Sequence, residues 1–190
     1  ETMGNPDSYH SIGSGWSNAS NTPFRLYKHY SHEGGISMPA IIHWPQGDLA
    51  RGTINNTPAH IIDLVPTLLE AAGSEYPQQW EGESTLPLPG VSLLSTWRAN
   101  DTGDTRTLFF EHQGSRAVRE GNWKLVATRG EPWELYDISK DRIESRNLVK
   151  RHPKLAKSLE AKWDRWAEDN QVTPLPKDLG AEYLPVLNSE

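Results

Sequence analysis

Cysteine is absent from the 190 residues, so the chain holds no disulfide, no thiolate nucleophile and no cysteine-ligated zinc. Long apolar runs are absent too. No stretch approaches the roughly 18 consecutive apolar residues that a membrane-spanning helix needs, and no membrane partner is expected. An excess of basic charge is also lacking: 19 Lys and Arg face 25 Asp and Glu, for a net charge of −6. Recognition of a phosphate backbone requires a basic face, so nucleic acid is not an expected partner. The opening ETMGNPDSYH has neither a basic nor an apolar region, and no signal peptide is legible in it. Its loop-like composition is what a chain cut from a longer one is expected to show.

What the sequence does have is tryptophan and proline, eight and fourteen residues. Large aromatics point to packed surfaces between sheet and helix, and the prolines to many loops. Residues 1–23 read as an irregular lead-in. Pro39-Ala40-Ile41-Ile42-His43-Trp44, closed by Pro45, has the length and composition of a short buried strand. Residues 60–73 predict a helix with Ile61, Leu64, Val65, Leu68, Leu69 and Ala72 on one face. Pro66 belongs in its first turn, so the regular helix is expected from about Asp63, and Gly73 is its stop. Residues 74–106 return to loop composition.

From Thr107 the pattern changes. Leu108–Glu111, Ser115–Arg119, Trp123–Ala127 and Trp133–Tyr136 are short strand-like runs separated by glycine-containing turns, which predicts an antiparallel meander. Residues 153–169 then predict a helix with Pro153 in its first turn. Its stripe of Leu155, Leu159, Trp163 and Trp166 is expected to pack on the meander. Trp123 and Trp133 are expected in the same core. A lone buried strand and helix do not complete an α/β layer, which again implies further chain.

The densest polar cluster is Lys28, His29, His32 and Glu33, followed by Gly34-Gly35. Such a set suits anion binding, metal ligation or acid–base work. His29-x-x-His32 would place two imidazoles on one helical face, but no third ligand is fixed, so zinc is not expected. Glu33 is expected to bond backbone amides of its own turn. Asp63 is expected to cap its helix, and Glu111 and His112, at a strand end, to edge a cleft.

The string NTPFRLYKHYSHEGGISMPAIIHWP closely resembles the sulfatase segment in which a lysine, four residues and Glu-Gly-Gly precede an apolar strand. HIIDLVPTLLEAAG, EHQGSRAVREGNWKLV and WELYDISKDRIESRNL resemble further segments of that family, in the same order and over nearly the whole chain. The nearest branch by these strings is the bacterial-type arylsulfatases. The resemblance implies an alkaline-phosphatase-like α/β fold, here the end of the large α/β domain (residues 1–100) followed by a small antiparallel-sheet-and-helix subdomain (101–190). It implies hydrolysis of small-molecule sulfate esters by a formylglycine nucleophile and a divalent cation, usually calcium, with periplasmic or secreted proteins favoured. Lys28 occupies the place of the sulfate-contacting lysine, with His32 and His112 as further substrate-binding candidates. The Cys/Ser-x-Pro-x-Arg nucleophile string and the Asp-Asn-Gly metal string are not in the sequence. Nucleophile and metal ligands are therefore expected in the rest of the same polypeptide, and this segment is expected to be inactive alone. A phosphodiesterase or phosphonate hydrolase of the same superfamily is the neighbouring alternative. A non-catalytic aromatic-rich binding domain is the alternative of another class, and it would need exposed tryptophans.

Overall fold

The computed structural model describes residues 12–99 and 106–173. They fall into two compact units, one built from residues up to Pro39 together with those from Thr107 onward, the other from Ala40–Arg106. These units cut the chain differently from the expected 1–100 and 101–190 halves.

The first unit is centred on the meander. Strands β3 (Thr107–His112), β4 (Ser115–Glu120), β5 (Trp123–Ala127) and β6 (Glu134–Asp137) follow the short antiparallel pair β1 (Gln79–Trp80) and β2 (Glu83–Ser84) of the other unit in chain order. They pair antiparallel in the order β3-β4-β5-β6. Gln113 and Gly114, with φ of 51° and 84°, make the two-residue β3–β4 turn, in which both central residues are left-handed, matching the twist of the strands they join. Val118, Leu125 and Leu135 stand side by side in the register, and their face is covered by helix α5 (Pro153–Asp169).

The predicted stripe forms this core. Leu159 and Trp163 are buried, Leu155 and Trp166 pack against them, and Ala156 and Ala167 join where the helix needs small residues for close approach. Trp166 stacks on Phe109 with ring centroids 5.3 Å apart. Trp133 meets Trp163 edge-on at 5.9 Å, and the Trp163 indole N–H donates to the Phe110 carbonyl at 3.2 Å. Such aromatic pairs add to the area they bury. Trp163 and Trp166 are thus structural, as expected, while Trp16 and Trp80 are the exposed tryptophans among the described residues.

Because side chains alternate across a strand, the neighbours Lys124, Val126, Ala117 and Tyr136 face the other way. Ala117, Val126, Tyr136 and Ile138 form a second small core there, with Phe110 against it. This second face carries the polar side chains of the candidate site.

Four expectations need correction. Residues 13–20, read as irregular, form helix α1 (Gly13–Ser20) with no buried residue. Pro39–Trp44 forms no strand, and Ile41 is 96% exposed. A strand needs a neighbour to satisfy its backbone, and no described strand pairs with this run. The 60–73 helix is present as a 3-10 turn, Ile61–Asp63, running into α3 (Leu64–Ala72) and stopped by Gly73 at φ 65°. Its apolar stripe is uncovered, however: Ile61, Leu64, Val65 and Leu68 are all exposed. The buried member is Thr67, whose hydroxyl donates to the Asp63 carbonyl at 2.6 Å and accepts from the Leu93 amide at 2.9 Å. That amide immediately precedes α4 (Leu94–Ala99), a short helix in the stretch read as loop.

Replacing Trp163 by Ala removes the indole on which Trp133, Trp166 and Leu159 pack, and is expected to cost about 3–5 kcal/mol. Chemical denaturation of wild type and variant checks it. An unchanged midpoint would remove Trp163 from the core.

Candidate functional site

The polar cluster lies on a strap, residues 25–36, laid on the second face of the sheet. The strap begins where the Asn18 side-chain oxygen accepts from the Leu26 amide at 2.8 Å. The Asn21 amide group donates to the carbonyls of Leu26 and Gly34, at 3.0 and 2.9 Å, and so ties the two ends of the strap together. It ends in the short helix α2 (Glu33–Ile36). Gly34 and Gly35 are required by close approach. A Cβ on Gly34 would collide with the carbonyl oxygens of Arg25 and Leu26, and one on Gly35 with that of Tyr30.

Glu33 is wholly buried, and its partners are not the amides of its own turn as expected. Its carboxylate accepts from Lys124 Nζ at 2.9 Å and from the Arg142 guanidinium at 3.4 Å. Lys124, on β5, is itself 0% exposed and also meets Glu144 Oε1 at 2.9 Å. The other Glu144 oxygen accepts from the Glu33 backbone amide at 2.8 Å. One ammonium therefore sits between two buried carboxylates, and all three are held by hydrogen bonds. Burial pushes the Glu33 carboxyl up, but Lys124, Arg119 and Arg142 outweigh it and hold the group below its ordinary range.

His32 is fully buried beside this pair. Its Nε2 lies 2.9 Å from Glu134 Oε2. A carboxylate only accepts, so Nε2 carries the proton. Nδ1, also buried, has no hydrogen-bond partner among the described residues. The Tyr136 hydroxyl donates to the same Glu134 oxygen at 3.0 Å, and Arg25 donates to the Tyr136 hydroxyl at 3.2 Å and to the Glu144 carbonyl at 3.0 Å. Burial raises the Glu134 carboxyl, and His32, Arg25 and Tyr136 together bring it below its ordinary value. His32 was expected to touch substrate. As placed, it has no path to solvent, and it holds the strap to β6.

Lys28 and His112 are exposed, by contrast. His29, at φ 85°, turns its ring out toward the β3–β4 turn. There it stacks on His112 with centroids 5.4 Å apart and places Nδ1 2.9 Å from Gln113 Oε1. His29 and His32 therefore point to different places and share no helical face. Glu111 accepts from the Gly114 amide at 2.8 Å and supports the turn. Lys28 and His112, with the half-buried His29, make up the tip, while His32 and Glu33, with the half-buried Arg25, make up the frame.

In the other unit, Asp63 is completely buried. It takes a two-pronged ion pair from Arg106 and accepts from the amides of His60 at 2.7 Å and Val91 at 3.1 Å. With the His60 ring accepting from the Ile62 amide, it forms a reciprocal cap on the 3-10 turn. Burial raises its carboxyl, and Arg106 and the two amides lower it further than burial raises it. This is the capping role expected, with a cation added.

Sequence reading missed Lys124, Glu134 and Glu144. One signal was available: a lysine at the centre of the apolar strand WKLVA is out of place unless a buried carboxylate meets it. Among the described residues no three His, Asp or Glu side chains gather to hold a metal.

Comparison with known proteins follows the same outline. Residues 24–169 match the family model described as N-sulphoglucosamine sulphohydrolase, C-terminal. An uncharacterized sulfatase of Schizosaccharomyces pombe is 32% identical over 97% of this chain and 34% of its own length. Arylsulfatase A of Bos taurus is 30% identical over 66% of this chain and 28% of its own length. The solved structure of Ps i-CgsB superposes with a TM-score of 0.66 at 24% identity, covering 79% of this chain and 33% of that one, which fixes the shared fold. The chain thus spans about a third of the length of the relatives it matches.

Glu33, Glu134 and Asp63 all titrate below their ordinary values of 4.5, 4.5 and 3.8. A carboxyl depressed in the folded state gives stability that is present above its unfolded pKa and is lost as the pH falls through the folded one. Melting temperature is therefore expected to hold between pH 7 and 5 and to fall steeply below about pH 4. Glu33→Gln should flatten that acid limb. A melting temperature independent of pH down to 3 would show that these pairs are not formed.

Proposed function

The chain belongs to the sulfatase family, matching its C-terminal region, and we propose that the whole protein hydrolyses sulfate esters, with Lys28 contacting the sulfate. The observation that carries this reading is the string Lys28…Glu33-Gly34-Gly35. Its glutamate and glycines are fixed against the sheet while its lysine, separated from them by four residues, stands exposed. The relatives named as sulfatases and arylsulfatases support the reaction class. The formylglycine nucleophile and the divalent cation, calcium by family resemblance, belong to parts of the protein outside this chain.

The chemistry assigned to Lys28 follows from charge. A sulfate ester carries one negative charge, and charge builds on the bridging oxygen as the S–O bond breaks. A fixed ammonium there stabilises the transition state more than the bound substrate. Exposed His112, which stacks on His29, is the residue assigned to contact the organic part of the ester. This chain alone supplies no nucleophile and turns over no substrate.

In the full-length protein, Lys28→Ala is expected to lower kcat on an aryl sulfate by about 10²–10³, the usual loss for one electrostatic donor, rather than only raise KM. Lys28→Arg should rescue little, because a planar fork does not replace a compact point charge. Steady-state kinetics decide the matter: wild-type kcat in Lys28→Ala would remove the lysine from the reaction.

A further inference from the structure

We infer that the buried Glu33–Lys124–Glu144 triad is a positioning device that sets where Lys28 stands, and that Lys124, on the sheet, acts on the reaction through Glu33. The inference rests on the sulfate-contacting reading of Lys28 and extends it to residues far from any substrate.

The strap is pinned on both sides of Lys28. Upstream, Arg25 donates to the Tyr136 hydroxyl and to the Glu144 carbonyl. Downstream, Glu33 meets Lys124 through its side chain and Glu144 through its amide. Glu144 thus serves both anchors, one with its backbone and the other with its carboxylate. Between them the backbone takes conformations that an L-residue disfavours: Leu26 and His29 have φ of 67° and 85°, and Glu144 itself has 55°. Such residues persist only where the surroundings over-determine them.

Charge burial points the same way. Three ionised groups with almost no exposure are a poor way to gain stability, because desolvation offsets much of their attraction. A packed apolar cluster would stabilise the same contact without them. What ion pairs with fixed hydrogen-bond directions provide is registry. The turn after Lys28 can settle on the sheet in one place only, whereas apolar packing would allow it to slide. A lysine displaced by about 1 Å from its working position loses on the order of 10²-fold in rate.

The test is a double-mutant cycle in the full-length protein, with kcat and KM on p-nitrophenyl sulfate and melting temperature as readouts. Glu33→Gln keeps the shape and removes the charge. It is expected to lower kcat about 10–100-fold with little change in KM, and to change kcat less than about twofold when Lys28 is already Ala, because its effect passes through Lys28. In the Glu33→Gln background, the charge-balanced double variant Lys124→Met with Glu144→Gln removes the remaining charge of each sign, so that no ion is left buried alone, and guards against simple unfolding. It is expected to keep a near-wild-type melting temperature and still lose kcat by a similar factor. The inference is overturned if folded Glu33→Gln retains wild-type kcat, if its loss is the same in both Lys28 backgrounds, or if the charge-balanced double variant is fully active. If Lys28→Ala itself retains wild-type kcat, the reading of Lys28 falls first and the inference falls with it.

Discussion

A single ammonium between two buried carboxylates determines how the first unit is put together. Lys124 projects from β5, the third strand of the meander, into a space where neither it nor its partners reach water. An isolated charge there would be untenable. Glu33 comes from 91 residues before Lys124, and Glu144 from beyond the last strand. Their convergence on one Nζ joins an early loop to a late sheet. The first 39 residues consequently belong with the sheet and not with the stretch that follows them in sequence.

This arrangement divides the sheet's two faces by kind of interaction. The face under α5 is apolar, and aromatic packing holds it. The opposite face has a small apolar core, but the strap is attached to it by directional contacts: His32 to Glu134, Arg25 to Tyr136, the Ser31 amide to the Ser115 hydroxyl at 2.8 Å. Dispersion fixes the helix through area, and tolerates small shifts. Hydrogen bonds and ion pairs fix the strap through angle and distance, and do not. The more exacting interaction is used where the strap that carries Lys28 meets the sheet.

The elements with strong periodicity were legible in the sequence. The meander and α5 follow from alternation, turn glycines and the Leu155–Leu159–Trp163–Trp166 stripe, all of them local signals. The end of α3 at Gly73 was legible for the same reason. Pro39–Trp44 and the face of Ile61, Leu64, Val65 and Leu68 read as buried because apolar pattern reports a preference for burial, not the presence of something to bury against. The site was half legible. Lys28 and the paired glycines stand in a motif, but His32 was assigned to substrate because composition does not reveal which way a ring points. Glu134 and Glu144 were invisible, being ordinary glutamates until the fold brings them to His32 and Lys124.

The two glycines of the strap carry a consequence for how such a protein can change over generations. Neither position admits even a methyl group without displacing backbone that other residues hold in place. The frame therefore resists substitution at Gly34 and Gly35. The tip is under no such restriction. Tyr27 is half-buried, but Lys28 and the outward ring of His29, with His112 opposite, end in solvent. New side chains can be tried there without disturbing the support beneath. A lineage can thus vary these few outward residues while inheriting unchanged the frame beneath them.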